Sequence, residues 1–303
     1  MPSEVTVVVP HYGDPEPTLA LVDRLARQQR VGLQIVVADD HSPVPFPDTP
    51  GVEVVRRPSN GGFGANVNSG AARAKHDLLL ILNSDVEFGD TFVAELVEKA
   101  SPWMPAVVSP RVQNRSGADE WVGRHFPLIR HQFVEWLHPL ARLRPRLHNA
   151  VGHDVDALGS TAVVDWVVGV AMLVPTAVFR SVDGFDERFF MNSEEIDLQR
   201  RLRELGVPSV VLREPTLVHE GGGSTPTSSS RRWLVSSRLA YARKWSGATG
   251  ERALRWALMS ASVINLAWNL LRALGGRPTD PLATFREERR LLQSHSPTRR
   301  QAR

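Results

Sequence analysis

Residues Asp77-Leu78-Leu79-Leu80-Ile81-Leu82 run straight into Asn83-Ser84-Asp85. The apolar run has no polar alternation. It predicts a strand covered on both faces, as in a parallel sheet with helices on either side. Upstream, Glu4–Pro10 and Leu33–Ala38 are further apolar runs, and Val52–Arg56 is a short one. Thr18–Gln29 places Leu19, Val22, Leu25 and Ala26 at helical spacing; Ala65–Ala74 and Thr91–Ala100 predict two more helices. Strands alternating with helices imply a parallel sheet with right-handed crossovers, an α/β fold. Such sheets bind ligands beyond the carboxyl ends of their strands. His11-Tyr12, Asp39-Asp40 and Asn83-Ser84-Asp85 each follow a strand and are expected on one rim.

The second half reads less regularly. Residues 111–165 are rich in Trp, His, Pro and Arg with weak periodicity, and suggest an irregular acceptor-side insertion. Asp165–Val174 is strand-like, and Val207–Leu212 is a short strand. Ser193–Leu205 predicts a helix with Ser193 at its N-cap. Gly221–Ser230 has the composition of a mobile loop, and the chain from Arg231 onward is helical.

The 303 residues are 42% hydrophobic and 23% charged, which excludes a disordered or collagen-like chain. With no cysteine there is no disulfide, thiolate metal site or cysteine nucleophile. The net charge of +3 hides a division: residues 231–303 carry 15 Lys/Arg against 4 Asp/Glu, so an acidic body precedes a basic end. A basic end fits an anionic partner such as membrane headgroups, or is simply solvated. The N-terminus has no basic n-region, and Trp256–Leu271 is short of a membrane span, so a cytoplasmic protein is expected, held at most at the inner face of the plasma membrane.

Several residues suit a phosphorylated ligand. Asp85, just past a buried strand, has the hard oxygen chemistry that Mg²⁺ or Mn²⁺ prefers, although Asn-Ser-Asp also makes turns. Asp39 and Asp40 can accept hydrogen bonds from a ribose hydroxyl or a pyrimidine N3–H, or cap a loop. Tyr12, one of two tyrosines, can stack on a base or pack inside. The stretch Asn60 to Gly70 opens a helix and can cradle phosphates with its N–H groups. It lacks both the dinucleotide fingerprint and the P-loop pattern. Glu194 and Glu195 fall in the first turn of a helix, where the dipole stabilises carboxylates; they are plain helix-start acids or a general base. His219 precedes the glycines at 221–223 and is either structural or a metal ligand beside a closing loop.

Together, Val7-Val8-Val9-Pro10-His11-Tyr12, Val36-Val37-Ala38-Asp39-Asp40-His41-Ser42, Asn60 to Gly70, Leu82-Asn83-Ser84-Asp85-Val86, Gly184-Phe185-Asp186-Glu187-Arg188-Phe189-Phe190 with Glu194-Glu195-x-Asp197-Leu198, and His219-x-x-Gly222-x-Ser224 resemble the family 2 glycosyltransferases, in particular the bacterial rhamnosyltransferase-like branch. The resemblance covers residues 4–225. It implies the GT-A fold, a Rossmann-like, mostly parallel central sheet flanked by helices, here with a C-terminal helical extension. It implies a nucleotide-sugar-binding half at 1–110, an acceptor and catalytic half at 111–230, and the basic extension at 231–303.

It further implies an inverting transfer from a nucleotide-diphospho-sugar (dTDP or UDP favoured, dTDP-rhamnose foremost) to a cell-envelope glycan or a polyprenyl-diphosphate-linked acceptor, with Mn²⁺ or Mg²⁺. By the same resemblance Asp39 reads the base, and Asp85 and His219 hold the metal. Pro10, His11, Tyr12, Asn60, Gly62, Asn66, Asn83 and Ser84 line the donor. Glu195 is the base, with Glu194 as competitor. Two positions depart from the family pattern: Asn83 replaces the first aspartate of the metal motif, and Glu195 replaces the usual aspartate base. A non-catalytic nucleotide-sugar-binding or scaffold protein is the alternative. In the tail, Leu254, Leu258, Ala261, Asn265 and Trp268 recur at helical spacing near Arg252, Arg255 and Arg272. They fit an interfacial helix that makes 251–303 a peripheral membrane contact, a helix packed on the body, or a homodimer contact. The spacing of Trp233, Trp245, Trp256 and Trp268 fits packing and not base stacking, so no nucleic-acid partner is expected.

Overall fold

The computed structural model describes residues 3–143, 146–221 and 227–293, without the side chains of 227–229. In chain order the elements are β1 (Ser3–His11), α1 (Glu16–Ala26), β2 (Val31–Asp39), β3 (Val52–Arg56), α2 (Phe63–Ala71), β4 (Leu78–Leu82), β5 (Val86–Glu87), α3 (Phe92–Ala100), β6 (Val107–Asn114), β7 (Gly123–Arg124) and α4 (Ile129–Trp136). They continue as β8 (Ala162–Val164), β9 (Trp166–Val167), β10 (Ala171–Pro175), α5 (Thr176–Ser181), α6 (Glu194–Glu204), β11 (Ser209–His219), α7 (Thr227–Leu274) and α8 (Pro281–Gln293). Two compact units form, Met1–His125 with Asp154–Pro226, and Phe126–His153 with Thr227–Arg303.

The first unit is built on one mixed sheet in the order β3-β2-β1-β4-β10-β6-β11-β5, with β8 on β11. β1, β2, β3 and β4 are mutually parallel, and β10 enters antiparallel between β4 and β6. The reason lies in the side chains. Val5, Val7, Val8 and Val9 of β1 and Leu79 to Leu82 of β4 are completely buried, which only a sheet covered on both faces provides. The parallel register sets His11 opposite Asp39, so the polar clusters after β1 and β2 do share a rim.

The second unit is helical. Gly247 (φ 66°) breaks α7 into two arms. Trp136 and Leu137 pack with Val235, Leu239, Leu254, Leu258, Ala261, Leu291 and Leu292 in a separate small core. Inside it Glu288 is fully buried, 3.1 Å from His138 Nε2 and 3.0 Å from an Arg231 nitrogen.

Several expectations need correction. The segment from 111 is not irregular at its start: Val107–Asn114 is a central strand, disguised by Pro110 and Arg111 at its middle. Asp165–Val174 is not one strand, since β9 and β10 are separated at Val168–Val170. The strand expected at Val207–Leu212 continues to His219, past a register shift between Val211 and Thr216. Ser193 does stand at the N-cap of α6, but with a left-handed backbone (φ 69°) and no side-chain capping bond. Of the loop expected at 221–230, residues 222–226 lie outside the described residues, including Gly222 and Ser224, and α7 already begins at Thr227. Leu254, Leu258, Ala261 and Asn265 face inward at 0–1% exposure, so they are a packing face and not the surface of an interfacial helix. Although Trp256–Leu271 alone is short, the helical stretch Ser230–Leu274 is long and apolar enough, by length and composition, to cross a membrane.

Candidate active site

The rim gathers the polar ends of β1, β2 and β4, but not every residue on it points outward. Asp39 is fully buried. Its carboxylate accepts the Ser42 N–H (2.8 Å) and the Phe46 N–H (3.1 Å) and pairs with Arg56. Burial opposes its ionisation, but these bonds outweigh burial and hold the carboxyl below its ordinary range. Asp39 therefore shapes the loop from Ser42 to Phe46. His11 is also turned inward: its Nδ1 is hydrogen-bonded to Thr18 Oγ1 at 2.9 Å, and burial lowers its pKa. Pro10 is half-buried, and Tyr12 is the rim residue that stays open, at 47% exposure.

The glycine-rich turn also differs from the phosphate cradle expected of it. The N–H groups of Gly61 and Gly62 donate to the two Asp40 oxygens at 2.8 and 2.7 Å, and Arg57 closes the other side at 3.0 Å. The Phe63 N–H donates to the carbonyl of Phe190. These three donors are consumed inside the protein. Asn60 accepts weakly from Gly62 N–H at 3.2 Å. Buried Asn66 donates to the carbonyl of Ala38 at 2.7 Å and so ties α2 to the end of β2. What the turn does is receive another segment. Gly62 (φ 85°) lies so close to the Phe190 carbonyl that a Cβ there would sit 1.8 Å from its oxygen.

That segment carries the two glutamates. Asn68 brackets Phe185 through both its N–H and its carbonyl, each at 2.9 Å. Arg201, ion-paired with buried Asp197 at 2.9 Å, donates to the Gly184 carbonyl. Asn192 and Ser193 then both adopt left-handed backbone conformations (φ 70° and 69°), costly for non-glycine residues and typical of functional turns. Glu194 and Glu195 follow at once. Glu194 is buried, and burial together with the charge of Glu195 pushes its pKa well up. Burial likewise raises Glu195, whose Oε2 finds no hydrogen-bond partner among the described residues. Glu195 is the more accessible of the two. A Cβ on Gly169 would meet it at 4.0 Å, and the adjoining Val170 carbonyl accepts the Asn83 N–H at 2.9 Å. The short link 169–170 thus joins the end of β4 to the start of α6.

Half-buried Ser84 and Asp85 complete that end. β5 pairs with the tail of β11, setting Val86 opposite His219. This brings His219 Nε2 to 3.4 Å from Asp85 Oδ2, while His219 Nδ1 lies 3.2 Å from Glu120 Oε2. The bond to Asp85 and the Glu120 carboxylate raise the imidazole pKa to about 8. Sequence reasoning missed Glu120. Its signal was the adjacent acids Asp119-Glu120 in a stretch otherwise read as irregular. No three His, Asp or Glu side chains among the described residues converge as a complete metal cage. A divalent cation here would have Asp85 and His219 as protein ligands and need oxygens from a diphosphate, a common arrangement. The donor set fits: a hard carboxylate and an imidazole face each other, and the second ring nitrogen is held by Glu120, which fixes the ring as in many metal sites.

Residues 6–159, half of the chain, match the profile of Glycosyl transferase family 2, and the chain belongs to that family. It is a glycosyltransferase of the rhamnosyltransferase-like kind. It is 29% identical over 226 residues to the N-acetylglucosaminyl-diphospho-decaprenol L-rhamnosyltransferase of Mycobacterium tuberculosis, covering 69% of this chain and 72% of the relative. It is also 29% identical over 197 residues to Rhamnosyltransferase WbbL of Escherichia coli, covering 60% and 71%. Among solved structures, the mannosyltransferase PcManGT from Pyrobaculum calidifontis, in complex with GDP-Man and Mn²⁺, superposes with a TM-score of 0.57 at 15% identity, over 95% of this chain and 84% of that one. GalNAc-T7, with UDP, GalNAc and Mn²⁺, gives 0.54 at 15% identity over 82% and 52%. The fold is GT-A.

Proposed function

We propose that this glycosyltransferase moves a sugar, rhamnose from dTDP-rhamnose foremost, with inversion and with a divalent cation, onto a lipid-linked cell-envelope glycan. The observation that carries it is the opposed pair Asp85 and His219, 3.4 Å apart at the end of β4 and steadied by Glu120. When bound there, Mn²⁺ or Mg²⁺ would supply charge neutralisation for the departing nucleoside diphosphate. Tyr12 offers an open aromatic face for the base, and the loop held by Asp39 borders it. Asp40 and Arg57 keep the glycine turn in the shape that seats the glutamates. Glu195 takes the proton of the acceptor hydroxyl as that hydroxyl attacks the sugar carbon from the face opposite the leaving group. Its raised pKa makes it a stronger base when ionised. The acceptor class is that of the relatives, one of which is an N-acetylglucosaminyl-diphospho-decaprenol L-rhamnosyltransferase. Division at residues 110 and 230 into donor, acceptor and tail segments is part of this reading.

The test is a thermal-shift series with dTDP, UDP, GDP and CDP, each with and without Mn²⁺ or Mg²⁺, followed by product analysis with the matching nucleotide sugar. A ligand of the native state raises the melting temperature by mass action. We expect a cation-dependent shift with dTDP and transfer of rhamnose. A shift with no turnover on any lipid-linked acceptor would assign the chain to the non-catalytic binding class instead.

A further inference from the structure

The second arm of α7 has its polarity reversed from that of a helix on an ordinary surface. Ser262, Asn265 and Asn269 are turned inward at 0–5% exposure. They are occupied there: the Trp136 indole N–H donates to Ser262 Oγ at 2.9 Å, and Asn265 takes the His138 N–H and donates to the Trp136 carbonyl. The outward side is apolar instead. Trp256 (72%), Val263, Ile264, Trp268, Leu270, Leu271 (64%) and Leu274 (86%) are exposed at the 3–4 residue spacing of one helix stripe. The stripe runs about 27 Å along the helix.

Its two ends are cationic. Arg252 lies one turn before Trp256 and Arg277 three residues after Leu274, both exposed; neither forms an ion pair among the described residues. Exposed Arg286, Arg289 and Arg290 of α8 add unpaired positive charge to the same unit. Of the neighbouring acids, Glu251 pairs with Arg243 and Arg255, while Asp280 caps α8 through the Ala283 N–H and keeps its charge. A large exposed apolar stripe marks an interaction surface. A second copy meeting it face to face would set Arg252 and Arg277 of one against those of the other, with Asp280 alone too little acid to balance the arginines of the unit. A helix crossing the bilayer would have to give its inner face to lipid, and that face is packed against Trp136, Leu291 and Leu292.

We propose that the outward face of residues 252–277 docks on an anionic lipid surface. The stripe from Trp256 to Leu274 sinks to the headgroup boundary, with Arg252 and Arg277 on lipid phosphates at either end. This is the geometry of a helix lying in the interface. The inference stands on the helix surface alone and does not depend on the reading of the rim.

The experiment is flotation of the full chain with vesicles of phosphatidylcholine, alone or mixed with phosphatidylglycerol, at low and high salt. Wild type is expected to float with the anionic vesicles, and less so at high salt. Leu271→Glu/Leu274→Glu is expected to lose more than about tenfold in vesicle affinity, and Arg252→Gln/Arg277→Gln about fivefold for each charge removed. All of these positions are exposed, so the melting curve should not move; should the leucine variant unfold, the arginine variant reads the same contact. Absence of flotation by wild type, or flotation unchanged in the variants, overturns the proposal. So does a solution dimer that Leu271→Glu/Leu274→Glu dissolves, which gives the face to a second copy, or resistance to alkaline extraction, which makes the helix a span.

Discussion

A Cβ at Gly62 would lie 1.8 Å from the carbonyl oxygen of Phe190. The turn after β3 and the segment that delivers the glutamates are therefore in backbone contact, and the absence of a side chain at one residue permits it. Gly62→Ala should cost about 1–3 kcal/mol for the backbone alone, which at φ 85° and ψ 177° lies in a region open essentially to glycine. Because the obstacle is backbone, the 190–195 segment must also move. We expect turnover to fall far more than stability, on the order of 100-fold for a displacement near 1 Å. Melting curves and kcat of the one variant decide this. Loss of stability with kcat retained would separate the turn from catalysis.

Glu195→Gln removes the proposed base and keeps the shape. Transfer should drop by about 10²–10⁴-fold, with nucleotide binding by thermal shift unchanged. Glu194→Gln should leave most activity and add stability, since burial and its neighbour already oppose its charge. If the two variants exchange these behaviours, Glu194 is the base.

Among the described residues Glu120 meets the site through His219, so its effect should be read as a cation requirement. Glu120→Gln is expected to raise the Mn²⁺ concentration for half-maximal activity by about 10- to 100-fold. At saturating Mn²⁺, kcat should recover. A kcat defect that no cation level repairs would place Glu120 on the substrate instead.

Glu288 gives the helical unit an acid-sensitive lock. Burial pushes its carboxyl up, but hydrogen bonds from His138 and Ser262 and the charges of His138 and Arg231 outweigh burial and hold it below the usual range. Its stabilisation is present above the unfolded glutamate value of about 4.3 and is lost as pH falls below it. Glu288→Gln should lose on the order of 3–5 kcal/mol at neutral pH, as expected when one partner of a buried pair is removed. It should also flatten the decline in stability between about pH 5 and 3. Denaturant melts followed by far-ultraviolet circular dichroism across that range test both statements.

The first 85 residues were legible because their signals are local. Val7 to Val9 and Leu78 to Leu82 announce buried strands, and the polar pairs after them announce the rim. Carboxylate direction was not legible. Asp39 and Asp40 look alike in sequence, yet one binds its own loop and Arg56 while the other consumes the N–H groups of Gly61 and Gly62. Glu120 was hidden for a related reason. It reaches His219 only because β6 and β11 are parallel neighbours whose register sets Asn114 opposite His219, a contact about a hundred residues long. In α7 the helical period was plain, but Leu254 and Leu258 on one side and Leu270 and Leu271 on the other are chemically alike. Only the partners in α4 and α8 decide which side is inside.

The antiparallel insertion of β10 has a consequence for synthesis. Leu173 pairs with Leu80, about ninety residues earlier, so β10 joins the sheet only after the chain between them has been made. A chain emerging from the ribosome can pair β1, β2, β3 and β4 before β10 has been made. It holds Asp85 long before it holds Gly169, Glu195 or His219. The segment that carries the rim is therefore the older part of each nascent molecule. The proposed site is complete only with the last strand of the sheet, so a product truncated before residue 219 carries the rim without His219.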